Sequence, residues 1–89
     1  MLKLKISNRA EKFLRGLPAK HQRQISSKIL ELKQIGHLSD SIKLKGERWY
    51  RTDSGEYRII YDIEDDCLLM VVIIGKRNDD DVYKQLKRL

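Results

Sequence analysis

From Cys67 to Ile74 the chain is apolar at every position, bounded by Glu64-Asp65-Asp66 on one side and Gly75 on the other. A strand with one wet face alternates, so an unbroken run of this length predicts a central strand covered on both faces. The remaining elements must then supply a sheet around that strand and layers over it. With 89 residues there is room for a single domain, 1–89, near the small end of what folds alone.

Leu2, Leu4 and Ile6 alternate with Lys3, Lys5 and Ser7, which predicts a first strand with one face on the core. Ser7 or Asn8 can cap a short helix whose stripe is Ala10, Phe13, Leu14 and Leu17, and Pro18 closes or restarts it. From Ala19 to Ile35 the apolar positions Ile25, Ile29, Leu32 and Ile35 keep helical spacing, and Gly36 is placed as a C-terminal stop. His37 to Ser41 reads as loop.

Arg48 to Thr52 and Glu56 to Ile63 read as a hairpin, with Asp53-Ser54-Gly55 supplying the turn, and Gly75 ends or kinks the apolar strand that follows. Asp79-Asp80-Asp81 before Val82, Leu86 and Leu89 predicts a C-terminal helix, acidic at its start and carrying Lys84, Lys87 and Arg88 at its end, as the helix dipole favours. The expected fold class is α+β in the order β-α-α-β-β-β-α: an antiparallel four-stranded sheet, two N-terminal helices packed on it and a short C-terminal helix.

Composition excludes several classes. At 40% hydrophobic and 36% charged, with the apolar residues in periodic groups, the chain is globular rather than disordered. No segment approaches the roughly 20 apolar residues of a membrane span, and no signal-peptide core is present, so a cytoplasmic protein without membrane contact is expected. The single Cys67 is expected to be a buried, inert thiol. His21 and His37 share no ligand spacing with it and read as ordinary surface histidines, and the Asp triplet reads as a helix start, so no metal and no cofactor are expected.

The net charge of +6 is unevenly spread: residues 1–51 hold 13 Lys or Arg against 4 Asp or Glu, and residues 52–89 hold 6 against 9. The first half is the face suited to a polyanion. Arg51, Arg58, Arg77 and Tyr83 fall at the ends of neighbouring elements as a cationic cluster with one phenol and no built-in acidic partner. Guanidinium forks match phosphate oxygens without help from a metal, which makes RNA the leading substrate.

Leu17-Pro18, Lys43-Leu44-Lys45-Gly46, Gly55-Glu56-Tyr57-Arg58-Ile59-Ile60-Tyr61, Gly75-Lys76-Arg77 and Asp81-Val82-Tyr83, taken in this order, resemble the RelE/ParE toxin superfamily over nearly the whole chain. The superfamily holds RelE-like nucleases that cut messenger RNA on the ribosome and ParE-like proteins that poison DNA gyrase. Tyr57-Arg58 fits both. Arg51, seven residues before Arg58, matches a basic position of the RelE-like nucleases with Arg in place of the usual Lys, and Arg77 and Tyr83 match as they stand. A second lysine of that pattern is replaced by Trp49.

The resemblance implies a toxin of a type II toxin-antitoxin pair that cleaves messenger RNA in the ribosomal A site. Its partners would be a cognate antitoxin, the ribosome and messenger RNA, with DNA met only through the antitoxin complex. The alternatives are a ParE-like gyrase poison and a non-catalytic basic nucleic-acid-binding module. In the nuclease reading the catalytic set is Arg51, Arg58, Arg77 and Tyr83, and Lys43, Lys45, Arg48 and Trp49 bind RNA. Arg58 would hold the non-bridging oxygens, Arg77 would serve the leaving oxygen, and Tyr83 would act as base or stack on a nucleotide. Residue chemistry alone leaves other roles open: Arg51 and Arg58 as surface cations paired with Asp53, Glu56 or Asp62, Tyr83 as a helix anchor, Trp49 as core.

Overall fold

The computed structural model describes residues 1–78 and 80–89. The elements are β1 (Lys3–Ile6), α1 (Asn8–Arg15), α2 (Ala19–Ile35), β2 (Ile42–Lys43), β3 (Tyr50–Ser54), β4 (Tyr57–Glu64), β5 (Leu68–Lys76) and α3 (Asp81–Lys87). Ser7 caps α1, its hydroxyl accepting from the Ala10 amide at 3.1 Å, and the same hydroxyl donates to the Val72 carbonyl at 2.5 Å. Pro18 is the N-cap of α2, and Gly36, at φ 89°, ends it by donating its amide to the Leu32 carbonyl. A positive φ of that kind is cheap only for glycine.

The sheet has the order β1-β5-β4-β3-β2. The expected α+β class holds, and the strand count and sense are corrected: five strands rather than four, with β1 parallel to β5 and the other pairs antiparallel. β2 is two residues long, too short for an alternating pattern to register. β1 reaches the far edge of the sheet because the α1–α2 excursion lets the chain return to β2 at the opposite edge.

Each face of the sheet has its own core. Ala10, Ile25, Ile29 and Leu32 of the two N-terminal helices bury Tyr57, Ile59, Tyr61, Leu69, Val71 and Ile74. On the other face α3 places Val82, fully buried, against Ile60, Val72 and Ile73, with Leu44, Trp49, Tyr83 and Leu86 around them. β5 thus contributes to both cores, as its unbroken apolar run predicts. Its register jumps where Ile60 faces Ile73 and Tyr61 faces Val71, leaving Val72 unmatched, and this bulge turns Val72 and Ile73 to the α3 side together.

Three local expectations change. Cys67 is exposed, because the turn through Asp65 (φ 52°) and Asp66 (φ 57°) still includes it and β5 begins one residue later. His21 and His37 are not ordinary surface residues: each Nδ1 shares a hydrogen bond with the phenol of a buried tyrosine, Tyr57 at 2.7 Å and Tyr61 at 2.9 Å. Gly75 neither ends nor kinks β5, which runs through it to Lys76. Its missing side chain is what α3 uses, since a Cβ there would lie 2.5 Å from Val82 Cγ1.

At the start of α3, Asp80 is the N-cap but makes no side-chain capping bond, and Asp81 accepts from Gln85 Nε2 at 2.6 Å. Asp79 of the triplet lies outside the described residues. Leu89 lies beyond the helix and is exposed. No helix among the described residues is long and apolar enough to cross a membrane.

Candidate active site

The hairpin loop is Gly55-Glu56, with Ser54 opposite Tyr57, so Asp53 stands directly across from Arg58 and Gly75 stands across from Arg58 on the other side. Asp53, Arg58 and Gly75 form one row across three strands. Gly75 admits Val82, and the next residue along α3, Tyr83, is thereby brought over Arg58. Arg58 Nη1 donates to Tyr83 Oη at 2.7 Å.

The adjacent rows carry the other arginines. Arg51 lies two residues from Asp53 on β3 and faces Ile60, which faces Ile73, so it shares the α3 face one row away. Arg77, two residues past Gly75, is fixed on the opposite side of the row by its amide donating to the Glu56 carbonyl at 2.9 Å. Arg51 and Arg77 thus lie on opposite sides of the Arg58 row, each two residues along the chain from it. Arg51 and Arg77 have no ion-pair partner among the described residues.

The expectation of a cluster without an acidic partner is corrected. Asp53 Oδ1 accepts from Arg58 Nε at 2.8 Å and Oδ2 from Nη2 at 3.3 Å, a two-pronged pair with the Arg58 side chain 13% exposed. The hydrogen bond to Asp53 is the main cause that raises the Arg58 pKa above its ordinary value, burial opposing it and the charge of Asp53 adding to it. Arg58 is therefore a permanently charged group in a fixed orientation rather than a free surface cation.

The residues expected to bind RNA separate. Trp49 packs against the α3-side core, and the Arg48 guanidinium lies 4.5 Å from its ring centroid. Arg48 is also held by Asp62 at 3.2 Å and Glu64 at 2.8 Å, so its charge is locally matched. Lys43 is paired with Tyr50, whose ring belongs to the α1–α2 side, which sets Lys43 at the sheet edge on the face away from Arg51. Lys45 is exposed in the turn after β2. Tyr83 packs on the α3-side core, as a helix anchor would, and its oxygen also accepts from Arg58.

The sequence offered Asp53 only as one of three partners for Arg51 or Arg58 and set the turn at Asp53-Ser54-Gly55, and it gave no sign of Gly75 as the seat of Val82. The Asp53 pairing was recoverable by setting the two-residue loop at Gly55-Glu56, with the positive-φ residue (Gly55, φ 58°) at its first position, which puts Asp53 opposite Arg58. No group of three or more His, Cys, Asp or Glu among the described residues could hold a metal ion.

Comparison with known proteins places this geometry. Residues 4–81 match the family described as the ParE toxin of type II toxin-antitoxin system, parDE. No curated protein matches the chain significantly. Among solved structures, an arginine-to-alanine double mutant of the E. coli toxin RelE in the free state superposes with a TM-score of 0.80 at 26% identity, covering 99% of this chain and 97% of that one. The archaeal RelE-RelB complex from Pyrococcus horikoshii OT3 gives 0.68 at 30% identity over 85% and 94%. The intact E. coli RelBE toxin-antitoxin complex gives 0.73 at 25% over 85% and 96%. With the family matched over residues 4–81 and the overall fold shared with RelE toxins, the chain belongs to the RelE/ParE superfamily of type II toxin-antitoxin toxins.

Proposed function

We propose that this toxin is a ribosome-dependent endoribonuclease that cleaves messenger RNA in the A site without a metal. The observation that carries the reading is the 2.7 Å contact between Arg58 and Tyr83, made at the centre of a row flanked by Arg51 and Arg77. RNA supplies its own nucleophile. The 2′-hydroxyl attacks the adjacent phosphorus, the bond to the 5′-oxygen breaks, and a 2′,3′-cyclic phosphate remains beside a 5′-hydroxyl.

Arg58 and Arg51 hold the non-bridging oxygens as charge develops on them. Arg77 serves the leaving 5′-oxygen. Tyr83, held by Arg58, takes the proton of the 2′-hydroxyl as a phenolate and becomes the phenol, and a water at Arg77 gives a proton to the leaving 5′-oxygen. The ribosome's part is to hold the substrate in line, which an exposed, shallow site does not do for itself. The partner that restrains the toxin is a cognate antitoxin, as in the RelBE complexes it resembles, and an acidic or flexible chain suits the basic outer faces of α1 and α2.

A second reading has a specific observation behind it. The matched family description is that of a ParE toxin, and Asp53 neutralises part of the Arg58 charge, which a gyrase-directed binding surface tolerates more easily than a phosphate site. Induced expression separates the two. The nuclease reading expects translation to fail first, with RNA fragments ending in a cyclic or 3′-phosphate and starting with a 5′-hydroxyl. Arg58→Ala and Arg77→Ala are expected to lose about 10²- to 10³-fold in single-turnover cleavage while still binding the antitoxin. Arrest of DNA synthesis with intact messenger RNA refutes the nuclease reading in favour of gyrase.

A further inference from the structure

A guanidinium has five N–H donors. Asp53 takes Nε and one proton of Nη2, and Tyr83 takes one proton of Nη1, so one proton on each terminal nitrogen remains. The free Nη2 proton lies on the Nη1–Nη2 edge of the fork, away from the carboxylate, where Nη1 already meets Tyr83 Oη, and that edge is one of the two on which a guanidinium takes a phosphate. The carboxylate thus occupies one edge of Arg58 and leaves the other for an anion beside Tyr83 Oη.

Without Asp53, the Arg58 guanidinium would keep only the single Nη1 contact to Tyr83, about which its plane can turn. The cross-strand register explains why it does not: Asp53 faces it directly, and the Asp53 amide is itself tied to Asp40 Oδ2 at 3.3 Å. Nothing in the RNA chemistry assigned above uses Asp53 as an acid or a base. Its two-pronged contact with Arg58 therefore calls for a role of its own.

We propose that Asp53 is a positioning residue that fixes the Arg58 guanidinium with its Nη1–Nη2 edge toward the scissile phosphate and Tyr83. The proposal rests on the nuclease reading. It makes the carboxylate a requirement of catalysis, although an isolated negative charge near a phosphate would be expected to slow it. The preorganised edge outweighs that repulsion because misplacement of a catalytic donor by about 1 Å costs on the order of 10²-fold.

The test is a double-mutant cycle in single-turnover cleavage on ribosomes carrying a programmed messenger RNA, with ribosome binding measured alongside. Asp53→Ala is expected to slow cleavage by about 10- to 10²-fold and to change ribosome affinity by less than about threefold. Placed on Arg58→Ala, the same substitution is expected to add nothing, because Asp53 acts only through that arginine. Asp53→Asn, nearly isosteric, carries the test should Asp53→Ala fail to fold, with a several-fold loss expected that again vanishes on Arg58→Ala. Cleavage at or above the parent rate in the single variant, or a full additional loss in the double variant, overturns the proposal. An unsubstituted chain that leaves RNA intact overturns the nuclease reading and this proposal with it, and that outcome is told apart from a failure of Asp53 alone because it is read on the parent protein.

Discussion

Gly75→Ala is the smallest change that separates α3 from the sheet. The new Cβ would sit 2.5 Å from Val82 Cγ1, about 1 Å short of a comfortable carbon contact. Val82 cannot rotate away, being fully buried and, as a β-branched residue in a helix, held to one strongly preferred rotamer. The helix must lift instead, and at seven residues it has little stability of its own once undocked. Overpacking of this kind costs about 1–3 kcal/mol, offset in part by about 0.4–1 kcal/mol from the stiffer unfolded chain. Val82→Ala, losing two buried methyl groups, is expected to cost about 1.5–2.5 kcal/mol through lost burial and the cavity left behind. In the double variant the clash disappears, since the next atom, Val82 Cβ, is at 3.9 Å, an ordinary contact. Urea unfolding of the four proteins should therefore show the pair destabilised by about 1–3 kcal/mol less than the sum of its parts. Additivity within about 0.5 kcal/mol would refute this account of how α3 is seated.

Asp40 and Tyr83 give two further expectations. Burial pushes the Asp40 carboxyl up, but the Thr52 hydroxyl, the Asp53 amide and the Lys28 ammonium together bring it below its ordinary value of 3.8. Its stabilising effect is then complete above that value and lost as pH falls through the lower folded one, so Asp40→Asn should flatten the acid limb of stability below about pH 4 in urea titrations, and an unchanged limb would contradict it. Tyr83→Phe keeps the ring and removes the oxygen that Arg58 contacts. A loss of order 10² or more in single-turnover rate marks proton transfer, whereas a rate near the parent's leaves stacking as the role of the ring.

The elements that can be read from one dimension are those whose own residues determine them. The β5 run, the Ile25, Ile29 and Leu32 positions of the α2 stripe, the Ser7 cap and the Gly36 stop appear where residue patterning puts them, while Ile35, expected on the same stripe, is exposed at the end of the helix. What patterning misses is pairing. β2 is two residues that form a strand only because Tyr50 and Arg51 present an edge to them, and the parallel β1–β5 contact joins segments more than sixty residues apart. His37 looks like a loop residue until the sheet brings the phenol of Tyr61 to its Nδ1 and the ring of Tyr50 to 4.0 Å.

The site follows the same division. Arg58 and Tyr83 were visible as residue types, but their meeting depends on a register set by a two-residue loop, on an absent side chain at position 75 and on a valine that fills the gap. Shifting the loop by one residue would turn Arg58 to the helix-covered face, because side chains along a strand alternate. The α1–α2 face carries the larger core, and the Arg58 row lies on the opposite face, under the single short helix α3. Changes in that row leave the main core intact. Fold alone therefore does not decide what this face does, and on the proposed reading the side-chain contacts of that row decide it.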